Sequence, residues 1–159
     1  MSPEVRTVED LLAKHPLFAD LATEHVAAIA GCGENLRFAA GDYVFREGEP
    51  ADRFYVIRHG KVALEVYLPE RGAVSFQTLA AGDVLGWSWL FPPFRWHFDA
   101  RAVERARVTA LDGRCLREKC DADPALGYQV VQRFARIAVE RLQAARLQLL
   151  DMYGRRSPP

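Results

Sequence analysis

Six aromatic rings crowd one short stretch of the chain: Trp87, Trp89, Phe91, Phe94, Trp96 and Phe98. All three tryptophans lie there. The stretch reads Gly86-Trp87-Ser88-Trp89-Leu90-Phe91-Pro92-Pro93-Phe94-Arg95-Trp96-His97-Phe98-Asp99-Ala100-Arg101-Ala102. Such rings offer stacking faces to a planar or apolar ligand. Arg95 and Arg101 are cations, and His97 a ring N–H donor, that could meet an anionic group, and Ser88 adds a hydroxyl. Aromatic rings at this density equally make a core. The Pro92-Pro93 pair stiffens the segment, which favours a loop with a retained role.

Other chemistry finds little support. His15, His25, His59 and His97 are scattered, with no His-x3-His or His-Glu-x2-His spacing for zinc. Three cysteines (Cys32, Cys115, Cys120) are too few for the four thiolates of an iron–sulfur cluster. Their odd number and undistinguished spacing read as reduced thiols of a cytoplasmic protein. A haem held by one His or Cys stays open. Neither glycine-rich phosphate loop is present, and no Ser/His/Asp set can be read. Catalysis is not expected, and no metal is assigned.

The 159 residues suggest one domain, and half of them are hydrophobic, enough for a real core. No stretch approaches the ~18 apolar residues of a membrane span, and the first residues do not resemble a signal peptide. Net charge is zero but uneven. Residues 1–99 hold 9 basic and 14 acidic side chains, residues 100–159 hold 12 and 7. The basic half permits nucleic-acid contact, but a solvated arginine-rich helix face gives the same count.

Five glycines, four of them beside a charged residue, punctuate the region ahead of the aromatic segment: Gly41-Asp42, Gly48-Glu49, Gly60-Lys61, Gly82-Asp83 and Gly86. Glycine supplies the positive φ that tight turns need. Between them lie strand-like runs, among them Phe54-Tyr55-Val56-Ile57 and the alternating Val62–Tyr67. Short strands closed by frequent turns predict an antiparallel barrel or jelly roll. Pro69-Glu70-Arg71-Gly72 is a hairpin turn between Val62–Leu68 and Val74–Leu79.

Helices flank the strands. Val8 to Lys14 is predicted helical and closes at His15-Pro16-Leu17-Phe18, with Leu17-Phe18 packing under the barrel. Thr23 is expected to cap a second helix to about Ala30, ended by Gly31-Cys32-Gly33. Asp112 caps a short helix to about Cys120, and Asp123-Pro124 opens a last, long one. There Val131, Ala135, Ala138, Leu142, Ala145, Leu149 and Met152 recur at alternating steps of four and three, an a/d seam. Val130, Phe134 and Ile137 form a second stripe that could dock on the barrel. A parallel two-helix dimer explains the seam better than packing on the chain's own domain. Gly154 is expected to end this helix. The layout is thus 1–34 amino-terminal helices, 35–111 jelly roll, 112–153 carboxyl-terminal helices and 154–159 tail.

The order and spacing of Gly41-x6-Gly48-Glu49, Phe54–Ile57, Gly60-Lys61-Val62 and Gly82-Asp83-Val84-Leu85-Gly86 resemble the cyclic nucleotide-binding domain. The likeness covers roughly residues 8–152. It implies a mainly β fold, a double-stranded β-helix with flanking helices and a long dimerisation helix, in a cytoplasmic, non-catalytic regulatory domain. It also implies a pocket at Gly86, Trp87, Ser88, Trp89, Arg95, Trp96, His97, Phe98, Asp99 and Ala100. In the family this segment reads Phe-Gly-Glu-x-[Ala/Gly]-Leu and then Arg-[Thr/Ser]-Ala. The glutamate meets the ribose and the arginine the cyclic phosphate.

Here Gly86 and Ala100 match, but Trp87 stands at the glutamate and Phe98-Asp99 at Arg-[Thr/Ser]. Asp99 would repel a phosphate. A one-residue shift could bring His97 to the phosphate, whereas alternation aims Arg101 away from the interior if Ala100 faces in. Three readings compete: another small ligand, rings that fill the pocket of a scaffold, or a cyclic nucleotide held through Ser88, Arg95 and backbone amides. The resemblance's transcription factors continue into a DNA-binding domain past the long helix. With no such segment before Pro159, the output is expected to come from a protein partner rather than DNA. The alternative is a constitutive, ligand-free interaction module of an enzyme complex. A cupin-type enzyme comes third.

Overall fold

A computed structural model describes residues 7–156, with side chains to residue 154. Thr7 opens α1 (Val8–Lys14) with a capping box: its hydroxyl accepts from the Asp10 amide and the Asp10 carboxylate accepts from the Thr7 amide. His15 closes the helix and pins the turn after it. Its Nδ1 accepts from the Leu17 amide while Nε2 donates to the Gly82 carbonyl at 2.6 Å. Helix α2 (Thr23–Ala30) begins on the residue expected to cap it. Ala22 is the cap, Thr23 is already helical, and no side chain caps this end.

Eight strands come next: β1 (Gly33–Phe38), β2 (Tyr43–Phe45), β3 (Arg53–His59), β4 (Val62–Leu68), β5 (Gly72–Leu79), β6 (Val84–Leu85), β7 (Asp99–Ala102) and β8 (Ala106–Asp112). They form two antiparallel four-stranded sheets, ordered β1-β8-β3-β6 and β2-β7-β4-β5. This is the jelly roll expected from the turn spacing. All five punctuating glycines have φ between +87 and +97.

The charged partners of three of these glycines have a physical role. Asp42, Glu49 and Asp83 each accept, through the carboxylate, the backbone amide three residues earlier: Ala39 at 2.8 Å, Arg46 at 2.7 Å and Ala80 at 2.8 Å. The amide of each acidic residue in turn donates to the carbonyl of that same earlier residue. The carboxylate thus satisfies an amide left over where the turn leaves no strand partner. Gly60 differs, since a Cβ there would lie 2.3 Å from the Arg105 carbonyl oxygen, so the β3–β4 turn needs a residue without one.

Strand β3 is buried on both faces. Phe54 and Val56 join a core shared with the helices, while Tyr55 and Ile57 join the core between the sheets. That explains why its apolar run is unbroken where β5 alternates. The helix-side core receives α3 (Gly113–Ala122) and α4 (Pro124–Arg156). Asp112 accepts from the Cys115 amide and Asp123 from Ala125 and Leu126, so both acidic caps act as expected. Leu126, Val130, Phe134 and Ile137 of α4 are buried. Arg133, also buried, donates to the Leu17 carbonyl and to Asp20, tying the Leu17-Phe18 turn to α4.

Two expectations are corrected. Gly154 does not end α4, which runs through it to Arg156; a single glycine costs only about 1 kcal/mol in a helix. Residues 157–159 of the expected tail lie outside the described residues. Cys32 and Cys115 are disulfide-bonded, not reduced thiols, with Cα atoms 5.8 Å apart. Their separation of 83 residues hid a contact made when the Asp112 amide donates to the Cys32 carbonyl. Cys120 keeps its thiol, whose pKa burial raises.

Burial also pushes the Tyr55 phenol up to about 12. A raised pKa leaves the neutral form favoured in the fold, so this contribution is intact below about pH 10 and is lost as pH rises through about 12. The urea midpoint is therefore expected to fall between about pH 10 and 12, and to fall less in Tyr55→Phe. Equal losses in both proteins would assign the alkaline transition to other groups.

Candidate functional site

The aromatic segment divides among three environments. Trp96 turns into the barrel, where its indole lies on the Phe45 ring with centroids 3.7 Å apart and planes 5° from parallel. Its far edge meets Gly86, where a Cβ would lie only 2.4 Å from the indole. Ala100 pairs with Leu64 across β7 and β4, both buried in the same inter-sheet core. The small Ala100 side chain and the glycine leave the room that the indole takes.

Trp89 goes the other way. It is fully buried in the helix-side core, stacked on Phe54 at 4.8 Å and edge-on to Phe134 at 5.1 Å. Grouped in the sequence with the ligand-facing residues, it instead anchors α4, because the chain turns between Trp87 and Leu90 and again between Phe91 and Phe94, where the later amide donates to the earlier carbonyl. Ser88 is buried beside it in the chain. Arg95 and His97 are exposed, and Arg95 donates to the Gly48 carbonyl at 2.9 Å. Neither is aimed into the barrel. Asp99 is buried, accepts from the Glu47 amide at 2.7 Å and lies 3.5 Å from Arg46. Its carboxylate serves the β2 turn. Arg101 pairs through two nitrogens with the buried Glu65, at 2.8 and 3.2 Å, so it does face away from the interior shared by Ala100 and Leu64.

The third environment is a cavity of about 380 Å³ between the β4–β5 face and α4. Phe98 and Trp87 line it from the aromatic segment, Leu64 and Phe76 from the strands, and Ala138, Arg141, Leu142 and Ala145 from the helix. Phe98 is held edge-on by Phe76 and tilted against Phe45. The walls are apolar except for Gln77, Gln148 and Arg141.

Arg141 is the residue that sequence reasoning missed. Its guanidinium lies 5.1 Å from the centre of the Trp87 ring and donates through Nη2 to the Val84 carbonyl. Burial lowers its pKa to about 10. A signal existed: residues 130, 134, 137 and 141 continue one stripe of α4, and the fourth member is an arginine where the first three are apolar. Ala138, Leu142 and Ala145, read as part of a dimer seam, also line the cavity. Of the remaining seam, Val131, Leu149 and Met152 are exposed, as is Ala135. Among the described residues no group of three or more His, Cys, Asp or Glu side chains could hold a metal ion.

The contact of Gly86 with Trp96 can be tested by a double-mutant cycle. Gly86→Ala is expected to cost roughly 1–3 kcal/mol from its positive φ, with the indole clash added. Trp96→Leu should cost roughly 2–4 kcal/mol of lost packing. The double variant should be more stable than the two losses predict, because the smaller side chain removes the clash. Simple additivity in urea unfolding would place the indole elsewhere.

Comparisons with known proteins agree with the architecture. The model of the family "cyclic nucleotide-binding domain" matches residues 35–123, more than half of the chain. The chain is 26% identical over 145 residues to a CRP-like cAMP-activated global transcriptional regulator of Mycobacterium tuberculosis. That match takes in 91% of this chain and 63% of the relative, so the chain spans less than two thirds of that protein's length. Among solved structures, the amino-terminal domain of a transcriptional regulator from Streptomyces coelicolor is 27% identical, with a TM-score of 0.68 over 86% of this chain and 95% of its own. A cyclic nucleotide-binding domain from Methylobacillus flagellatus shares the fold at a TM-score of 0.78 with 19% identity, over 92% and 82% of the two chains. No helix among the described residues is long and apolar enough to cross a membrane. With its eight-stranded jelly roll, its glycine turns and the matched residues 35–123, the chain belongs to the cyclic nucleotide-binding domain family.

Proposed function

We propose that this chain is a non-catalytic regulatory domain that senses a small ligand in the cavity between the barrel and α4. The observation that carries the reading is the position of that cavity. Residues of α4 form one wall and residues of the barrel the other, so an occupant touches both at once. A ligand that prefers one placement of α4 shifts its population. The residue types favour a ligand other than cyclic AMP. The glutamate and arginine that the family resemblance leads one to expect are replaced by Trp87 and Phe98, and Trp96 takes up space between the sheets.

The second reading, a ligand-free interaction module of an enzyme complex, draws support from that same Trp96–Phe45 stack. A barrel filled by its own side chain needs no ligand to complete its core. In either reading α4 is the output element. Its exposed Val131, Leu142 and Leu149, with Ala135, Ala138 and Ala145, form a seam suited to a second copy of the chain. A protein partner reading that helix would carry the output.

Tryptophan fluorescence during titration with cyclic AMP, cyclic GMP and a metabolite panel separates the readings. Trp87 is the one tryptophan lining the cavity, so a saturable change that disappears in Trp87→Phe is expected from a cavity ligand. Silence throughout would favour the ligand-free module. A response to cyclic AMP would show that the missing side chains are replaced by others. For the dimer, Leu149→Glu should raise the dissociation constant at least tenfold in sedimentation equilibrium, since a seam carboxylate must be desolvated. A wild-type monomer at all concentrations would remove the seam.

A further inference from the structure

The cavity has one charged group in its lining, and that group is incompletely satisfied. Of the two terminal nitrogens of Arg141, Nη2 donates to the Val84 carbonyl, while Nη1 is buried without a hydrogen-bond partner. Among the described residues, no carboxylate comes within ion-pair distance of this guanidinium. Asp83 and Glu140 are the acidic groups nearest in effect, but neither pairs with it. A buried cation lacking a counterion is costly, and the natural remedy is an anion brought by the occupant. The depressed pKa reports the same desolvation, and at about 10 the group still carries its charge at neutral pH.

We infer that the cavity takes an apolar monocarboxylate, its headgroup on Nη1 of Arg141 and its hydrocarbon body against Phe76, Trp87, Phe98 and Leu142. The inference rests on the cavity being a ligand site. A single cation with one unpartnered nitrogen suits one carboxylate and not a polyanion. The Gln77 and Gln148 side chains supply the other polar wall, and Gln148 already spends its amide nitrogen on the Phe76 carbonyl at 3.4 Å. A cavity of about 380 Å³ lies at the small end of ligand pockets, which suits a compact ring or a medium-length chain. The Trp87 face, already under the guanidinium, extends the flat surface on which such a body would lie.

The test is calorimetric titration of the full chain with 2-naphthoate, 4-phenylbutanoate and decanoate, each beside its neutral amide. At least one acid is expected to bind about tenfold or more tightly than its own amide, as a charge-assisted hydrogen bond to a largely desolvated guanidinium requires. Arg141→Gln should abolish the preference, Arg141→Lys should keep it, and Arg114→Gln on the exposed face of α3 should leave it unchanged. Cooperative urea unfolding of each variant checks the fold, and the lysine variant keeps the test valid if the glutamine variant unfolds. Equal affinity for acid and amide, no binding by any acid, or a preference that survives Arg141→Gln would each overturn the inference. A neutral compound or cyclic AMP that binds where all the acids fail would overturn this ligand class while leaving the sensor reading intact. A fluorescence panel silent throughout would remove the sensor reading itself.

Discussion

The Trp96 indole lying flat on Phe45 decides what the barrel can hold. Two rings at 3.7 Å, closed off by Gly86 on one edge, occupy the space between the two sheets that a jelly roll would otherwise leave for a guest. Many consequences descend from this packing. Gly86 must be glycine because its φ is +97 and because the indole edge lies within 2.4 Å of where a Cβ would be. Ala100 must be small, facing Leu64 across the strand pair. Phe98, two residues on from Trp96, then faces Phe76 and the helix, at the rim of the barrel. The open volume is thereby placed between the barrel and α4.

The helix stays where it is because of an independent cluster. Trp89, Phe54 and Phe134 meet at centroid distances of 4.8 to 5.1 Å, and the turn in which the Phe94 amide donates to the Phe91 carbonyl separates Trp89 from Trp96. One segment therefore puts one indole into each core. This couples the barrel interior to the helix through covalent geometry as well as packing. Arg133 adds a polar tie, since its guanidinium reaches the Leu17 carbonyl and Asp20 from a buried position. The Asp20 carboxyl is held below its ordinary pKa by that hydrogen bond, so the tie weakens only when acid protonates it.

Much of this was legible in the chain because it is local. Turn glycines, acidic helix caps at Asp112 and Asp123, and the Val130-Phe134-Ile137 stripe all act within a few residues, and each predicted its element. The family resemblance, not spacing or composition, pointed to a pocket at Trp87 and Phe98, and the structure sets both residues against a cavity beside α4. What the sequence hid was long-range. The Cys32–Cys115 pairing spans 83 residues and depends on α2 ending beside the start of α3. Trp89 and Trp96 stand in one dense run of rings, and the turn at Phe91–Phe94 lies between the ring that joins the helix-side core and the ring that joins the barrel core. Arg141 read as one more basic residue of a solvated helix. Its meaning came from Val84 and Trp87, which stand more than fifty positions away. The run Phe54–Ile57 read only as a strand; its burial on both faces, and which residue belongs to which core, required the sheet order.

The shared use of α4 sets a thermodynamic condition on any signalling by this domain. Ala138, Leu142 and Ala145 line the cavity and also belong to the seam spacing. An occupant that presses on them changes the surface offered to a second helix, and a second helix changes the wall offered to the occupant. By linkage the two effects must be equal in size. If a ligand tightens the dimer, the dimer must tighten the ligand by the same factor. A ligand that binds monomer and dimer alike shifts nothing, however strongly it binds. Alanine at two of these three positions is informative here. A methyl group fills little of the space between helix and barrel, so small rotations of α4 alter the cavity without breaking a large packed contact. The rigid anchors lie earlier on the same helix, at Val130, Phe134 and Ile137, and from Leu142 onward every described side chain of α4 is exposed. The cavity thus sits at the point where α4 passes from a fixed segment to one held by little else, which is where a modest binding energy can move the helix furthest.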